Sequence, residues 1–345
     1  MKKSNNPLLY PLSWLYGLGV GLRNFLFNQG ILKQQAYPIP LICVGNITVG
    51  GTGKTPHVEL LISILRKQYR IAVISRGYKR KSRGLREVTL TSTAEEVGDE
   101  PKQIKQKYPE VRFVVDGNRR RAMRYLLALP EEERPEVVLL DDGFQHRYVQ
   151  PSFNILLIDA QRELHDDELL PLGGLREPAT ARYRADCIIL TKCPHNMQPI
   201  KLRIMQRNLD LYAHQEIFFS RIHYQHPRAV RTLLGEAGSP LPKDALVIAL
   251  SGIASPELFF TYLGERYELI DQLVYPDHHH FRPKDFTAIS ERWQELCEQY
   301  SGRPVYIVCT EKDAVRFTDS LGELPEALVK QLYFLPIETQ ILYKP

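Results

Sequence analysis

Short apolar runs alternate with stretches of helical spacing along most of the chain. Segments 41–44, 71–75, 111–115, 137–140, 154–158 and 187–190 are nearly continuous apolar runs of four or five residues. Runs of this length suit strands buried on both faces. Between them, 56–68 and 118–129 carry helical patterns. The alternation predicts an α/β fold with a mostly parallel sheet and helices on both faces. Around 217–224 the pattern changes to FFSRIHY, an extended connector. A second α/β series follows, with strands at 245–250, 267–273 and 305–309 and helices at 256–263 and 284–300. The predicted organisation is an N-terminal segment 1–28, a larger core 29–220 and a smaller α/β domain 221–345, with the boundary inside 215–230.

Composition agrees with this plan. A chain of 345 residues, 43% hydrophobic and 25% charged, can bury cores without disulfides or metal staples. Its five cysteines are odd in number and mostly lie inside apolar runs, as reduced buried thiols do. The spacing of Cys187, Cys193 and His195 matches no common zinc pattern. A net charge of +5 is too mild for a dedicated nucleic-acid binder, so no nucleic-acid partner is expected. The distribution of charge is more informative. RGYKRKSRGLR, from Arg76 to Arg86, holds six basic residues and no acid, and Arg119, Arg120, Arg121 and Arg124 form a second cluster. Either these are solvated loop and helix faces, or an anionic substrate or membrane surface lies nearby.

Segment 7–22, PLLYPLSWLYGLGVGL, contains no charge. Its sixteen residues and two prolines fall short of the ~20 residues needed to span a bilayer. No small-residue cleavage site follows, which argues against a signal peptide. Trp14, Tyr10 and Tyr16, with Lys2, Lys3 and Arg23 as flanks, suit a headgroup boundary. The segment is therefore read as a membrane-interacting helix, with packing onto the core as the alternative.

LICVGNITVGGTGKTP is the strongest chemical signal: an apolar run, a glycine-rich turn, Lys54-Thr55 and a helical pattern. Glycines let backbone N–H groups turn inward around phosphates. Lys54 would reach the β- and γ-phosphates, Thr55 would bind Mg²⁺, and the helix N-terminus favours anions. Thr48 stands where the strict pattern has its first glycine, and Gly50, Gly51, Thr52 and Gly53 complete the nucleotide-binding set. Downstream, VVLLDDGFQHR runs an apolar strand into Asp141 and Asp142, carboxylates placed to hold Mg²⁺ beside a phosphate loop. These residues predict ATP and Mg²⁺ as cofactors.

GNITVGGTGKTP, SRGYKR, VGDEP, DDGFQHR, PLGGLREP, YPDHHHF and TEKDAV occur in that order between Gly45 and Val315. The ordered set resembles the tetraacyldisaccharide 4'-kinases of lipid A biosynthesis. The resemblance implies a P-loop core joined by a short β connector to a second α/β domain. It implies transfer of the ATP γ-phosphate to the 4'-hydroxyl of an acylated glucosamine disaccharide 1-phosphate. It also implies a monotopic enzyme whose partners are a lipid-linked disaccharide and the cytoplasmic face of the inner membrane. Gly174 stands where family members often carry proline, which predicts a more mobile loop.

Read alone, Asp99 and Glu100 are two acids in a loop before Pro101, and the tract from His278 to His280 could be a metal site or a surface tract. The resemblance implies Asp99 as catalytic base, His278 as its partner, Lys54 as a catalytic phosphate contact, and Glu100 as a Mg²⁺ contact beside Thr55, Asp141 and Asp142. Arg76, Arg119 and Arg176 are candidate phosphate or sugar ligands, because guanidinium matches phosphate bidentately. Lys192 and Lys312, at two strand ends, carry no assigned role. A P-loop ATPase of the partitioning or metallochaperone type is the main alternative. A soluble metabolite kinase and a non-catalytic membrane adaptor are further ones.

Overall fold

The structure, a computed structural model, describes residues 6–162, 164–194, 197–277 and 279–342. His195 and His278 lie outside the described residues. In chain order the elements begin α1 (Leu9–Asn28), β1 (Leu41–Gly45), α2 (Lys54–Leu65), β2 (Ile71–Ser75), β3 (Arg86–Val88), α3 (Ala94–Val97) and α4 (Asp99–Lys107). They continue β4 (Arg112–Val115), α5 (Arg119–Leu127), β5 (Val137–Asp141), β6 (Phe153–Asp159), β7 (Cys187–Thr191), α6 (Pro199–Asn208) and β8 (Glu216–Tyr224). Then come β9 (Arg228–Ala229), β10 (Leu246–Ser251), α7 (Glu257–Gly264), β11 (Glu268–Val274), α8 (Pro283–Gln299) and β12 (Val305–Thr310). The last are α9 (Glu311–Phe317), α10 (Glu326–Lys330), β13 (Leu332–Leu335) and β14 (Ile337–Leu342).

The chain divides into two compact units. The first comprises 1–90, 108–222 and 339–345, and the second 91–107 and 223–338. Segment 91–107, which sequence reading left in the larger core, therefore belongs to the second unit. Two kinds of contact hold it there: Lys102, buried, is ion-paired to Asp319, and α4 packs on α9. Asp99 and Glu100 open α4 instead of lying in a loop. The proline two residues on is tolerated because the first helical turn needs no N–H from it.

In the first unit, β1 pairs in parallel with β5 on one side and β6 on the other. β5 pairs with β2 and β2 with β4, while β6 pairs with β7 and β7 with β8, all parallel. The described sheet order is β14-β8-β7-β6-β1-β5-β2-β4-β3, with β3 antiparallel at its edge. Strands β1, β2, β5 and β7 are buried along nearly their whole length, which is why they read as unbroken apolar runs. Parallel pairing brings the carboxyl ends of β1, β2, β5, β6 and β7 to one edge, where open α/β sheets place their ligands.

The second unit is a sheet in the order β11-β10-β12-β13-β9, parallel except for the β13–β9 pair. Its core includes Phe286, Ile289, Leu250, Ile307 and Phe317. α8 begins at Pro283, and the Asp285 carboxylate accepts the Arg282 N–H at 2.9 Å, closing the exposed helix start.

α1 reverses the usual amphipathic arrangement. Apart from the buried Phe27, its inward contacts are polar: Ser13 Oγ donates to the Leu169 carbonyl (2.8 Å), Tyr16 OH to the Arg176 carbonyl (2.9 Å) and Asn24 Nδ2 to Glu177 Oε2 (2.8 Å). Its exposed residues include Leu12, Trp14, Leu15, Leu18, Leu22 and Phe25. Among the described residues no helix is long and apolar enough to cross a membrane.

Candidate active site

The loop after β1 is shaped by its glycines. Gly50 and Gly53 have φ of +102° and +83°, a region that side chains with a Cβ rarely occupy. Gly53 is the N-cap of α2, so Lys54 and Thr55 form its first turn. The loop is braced from four directions. Asn46 Nδ2 donates to Thr52 Oγ1 (2.7 Å), and Thr191 Oγ1, at the end of β7, donates to the Thr52 carbonyl (3.0 Å). The N–H of Val49 donates to the Gly174 carbonyl (2.7 Å), and Gln145 Nε2 to the Asn46 carbonyl (2.7 Å). Beneath it, the buried His57 contacts the Gly53 carbonyl through Nδ1 (2.7 Å) and Ser220 Oγ through Nε2 (2.9 Å). A carbonyl can only accept, so Nδ1 carries the proton; burial holds the ring's pKa down to about 4, hence neutral.

Asp141 and Asp142 stand at the end of β5, adjacent to β1. Ser75 Oγ, at the end of β2, donates to Asp141 Oδ2 at 3.0 Å. Asp142 has a φ of +50° and lies 3.7 Å from Lys54 Nζ. Arg176 Nη1 donates to both Asp142 oxygens at 3.2 Å. Burial alone would raise the Asp142 pKa, but Lys54 and Arg176 outweigh it and hold the carboxylate below its usual range.

Arg119, at the start of α5, is only 3% exposed. Its Nη1 donates to the Asp116 carbonyl at 3.1 Å. Burial lowers its pKa, while Asp141 and Asp142 act in the opposite sense. Arg76, exposed, follows β2. Sequence reading missed His146, which is pushed down to about 4 by burial and by Arg119, Arg23, Arg120 and Arg76. The signal was present in DDGFQHR, but nothing local shows that arginines from three separate segments act on its histidine. Phosphate-loop, carboxylate and arginine candidates Thr48, Gly50, Gly51, Thr52, Gly53, Lys54, Thr55, Asp141, Asp142, Arg76, Arg119 and Arg176 all lie in the first unit.

Asp99 and Glu100 lie in the second unit. Arg316, from α9, donates to Asp99 Oδ2 through Nε (2.9 Å) and Nη2 (2.7 Å). Lys312 Nζ, on the same helix, lies 3.9 Å from Glu100 Oε1 and 3.8 Å from Asp277 Oδ1. Burial lowers the Lys312 pKa against the pull of Glu100. His278 lies outside the described residues; His279 contacts Asp285 Oδ2 through Nε2 at 3.0 Å.

The family model for Tetraacyldisaccharide-1-P 4'-kinase matches residues 5–345. The chain belongs to this family. It is 47% identical to the tetraacyldisaccharide 4'-kinase of Porphyromonas gingivalis strain ATCC 33277 over 338 residues, covering 98% of this chain and 93% of that protein. It is 46% identical to that of Parabacteroides distasonis over 339 residues, covering 96% and 89%. A crystal structure of LpxK from Aquifex aeolicus in complex with ATP is similar with a TM-score of 0.73 at 28% identity, covering 96% of this chain and 93% of that one. Tetraacyldisaccharide 4'-kinase membership and this structural match establish the P-loop α/β fold.

The Gly174 N–H donates to Asp167 Oδ1 (2.9 Å), a bond proline cannot make, while its carbonyl accepts from the phosphate loop. The Gly174 backbone thus ties its loop on both sides of the residue.

Proposed function

We propose that this chain transfers the γ-phosphate of ATP to the 4'-hydroxyl of a tetraacylated glucosamine disaccharide 1-phosphate, a step of lipid A biosynthesis. The observation that carries the reading is Lys54 and Thr55 in a glycine-shaped loop beside Asp141 and Asp142, within a chain matched to this kinase family along nearly its whole length. In the reaction an O4'–Pγ bond forms, the bond from Pγ to the β-phosphate oxygen breaks, and ADP leaves. Asp99 accepts the hydroxyl proton, with His278 as its partner.

The Thr55 hydroxyl and the carboxylates of Asp141, Asp142 and Glu100 are hard oxygen donors, the type that suits Mg²⁺. Among the described residues no group of three or more His, Cys, Asp or Glu could hold a metal ion. Asp141 and Asp142, at one strand end, would supply the one or two carboxylates that Mg²⁺ commonly takes beside substrate phosphates. A bound Mg²⁺ would supply neutralising charge to the phosphates, and the residues named here would hold it. Lys54 adds a further cation to that cluster, and Arg176 orients Asp142. The arginines around His146 support an anionic acceptor, with Arg76 and Arg119 as its contacts.

The exposed apolar face of α1 supports docking on the cytoplasmic face of the inner membrane. Each large apolar side chain removed from water contributes roughly 1.5–3 kcal/mol, so a few suffice before ordering costs are counted. The deciding experiment incubates the protein with γ-labelled ATP, Mg²⁺ and the acylated disaccharide 1-phosphate in detergent. Label should enter the lipid. Release of free phosphate at one rate with and without the lipid would instead establish an ATPase.

A further inference from the structure

TEKDAV contributes nothing to the phosphate loop, yet its helix is built around one contact. Asp313 is fully buried: Oδ2 accepts from the Gly252 N–H (2.8 Å) and from Thr310 Oγ1 (2.6 Å), while Oδ1 accepts from Arg316 Nη1 (2.8 Å). Arg316 Nη1 also donates to the Gly252 carbonyl at 3.2 Å. With Nη1 committed behind it, the guanidinium presents Nε and Nη2 forward, and both meet Asp99 Oδ2. A Cβ at Gly252 would come within 2.8 Å of Asp313 Oδ1, so the glycine after β10 is required for this arrangement.

A buried arginine between two carboxylates can simply hold a helix in place. Here the geometry says more. Both forward donors fall on one oxygen of Asp99, Oδ2, and anchor it to a guanidinium that is itself held from behind. Arg316 cannot follow Asp99 if it swings, because Asp313 and Gly252 hold it from behind.

The geometry assigns Arg316, locked by Asp313, as the positioning residue of Asp99: it holds the side chain in the place from which the carboxylate accepts the proton of the sugar hydroxyl. The assignment rests on the reading of Asp99 as that acceptor. A general base works only within about 2.6–3.2 Å of its proton donor, and small misplacements cost up to about 10²-fold.

Steady-state kinetics on the full chain tests it. Arg316→Ala should lower kcat by about 10–100-fold with the KM for ATP within about twofold of wild type. Guanidinium ion added at millimolar concentration should restore part of the lost kcat. In an Asp99→Asn background the same substitution should cost nothing further, and guanidinium should restore nothing. If Arg316→Ala does not fold, Arg316→Lys serves: a lysine keeps the charge but loses the fork, so kcat should still fall with ATP binding retained. Unchanged kcat in the folded variant overturns the assignment, as does an equal loss with and without the Asp99 carboxylate. Wild-type kcat in Asp99→Asn alone would sink the reading of Asp99 itself, a result separable from failure at Arg316.

Discussion

Lys54 Nζ lies 3.7 Å from Asp142 Oδ1, so the phosphate-loop lysine and the carboxylate after β5 form one electrostatic unit. Lys54→Ala should reduce transfer at saturating ATP by at least about 10²-fold while the protein stays folded, since the change removes charge and no core packing. Asp142→Asn should do the same and is the cleaner carboxylate variant. At a φ of +50° asparagine is tolerated, whereas alanine adds about 1 kcal/mol of backbone strain. Full activity in either variant would remove this pair from the mechanism.

Asp99→Asn and His278→Ala should each lower kcat by about 10²–10⁴, with little change in ATP affinity. If the two act as a unit, the double variant is little worse than the worse single one. Strictly additive losses, read from single-turnover rates, would show that His278 acts elsewhere.

The α1 helix should be probed by point variants. Deleting it would also remove the Tyr16 and Asn24 hydrogen bonds that brace Arg176 and Glu177. Trp14→Glu combined with Leu18→Glu alters two exposed side chains only. This variant should keep its melting temperature and lose sedimentation with vesicles containing anionic phospholipid. Unchanged partition would mean that the exposed apolar face is not the docking surface.

Glu177 is buried and joins Arg184 Nη1 (2.7 Å) and Asn24 Nδ2 (2.8 Å). Burial would raise its pKa, but Arg184 and Asn24 hold it below the ordinary 4.5. A depressed carboxylate stabilises the fold above its unfolded pKa, and that contribution is lost as pH falls through the folded value. Glu177→Gln should therefore cost roughly 3 kcal/mol at pH 7, near the low end for breaking a buried pair. The gap to wild type should begin to close as pH falls below the ordinary 4.5 and vanish below the depressed folded value. Denaturant melts at pH 7 and pH 3.5 measure both; a gap independent of pH would assign the loss to packing.

Strands β1, β2, β5 and β7 were legible to within about a residue because burial on both faces leaves an unbroken apolar run. The phosphate loop was legible because its positive φ angles demand glycine. α4 was not: a polar helix that starts with two acids and a proline has no apolar stripe to read. β3 and β9 are too short to leave a pattern. α1 was legible as a helix, but only the structure shows that its inward contacts, Phe27 apart, are polar. The contact of Arg316 with Asp99 joins residues 217 positions apart, and a tertiary pairing of that kind leaves no trace in local spacing.

Segment 91–107 has a consequence for biosynthesis. The chain passes between its two units at 90/91, 107/108, 222/223 and 338/339, so no single cut yields either unit whole. On the ribosome, the helix carrying Asp99 emerges early and must wait for α9, more than two hundred residues later, before it finds its partner. Strand β14, which takes an edge of the first unit's sheet, comes last of all. A prematurely terminated product would own a phosphate loop without an anchored Asp99. Each unit is thus completed only when pieces from far along the chain have been made.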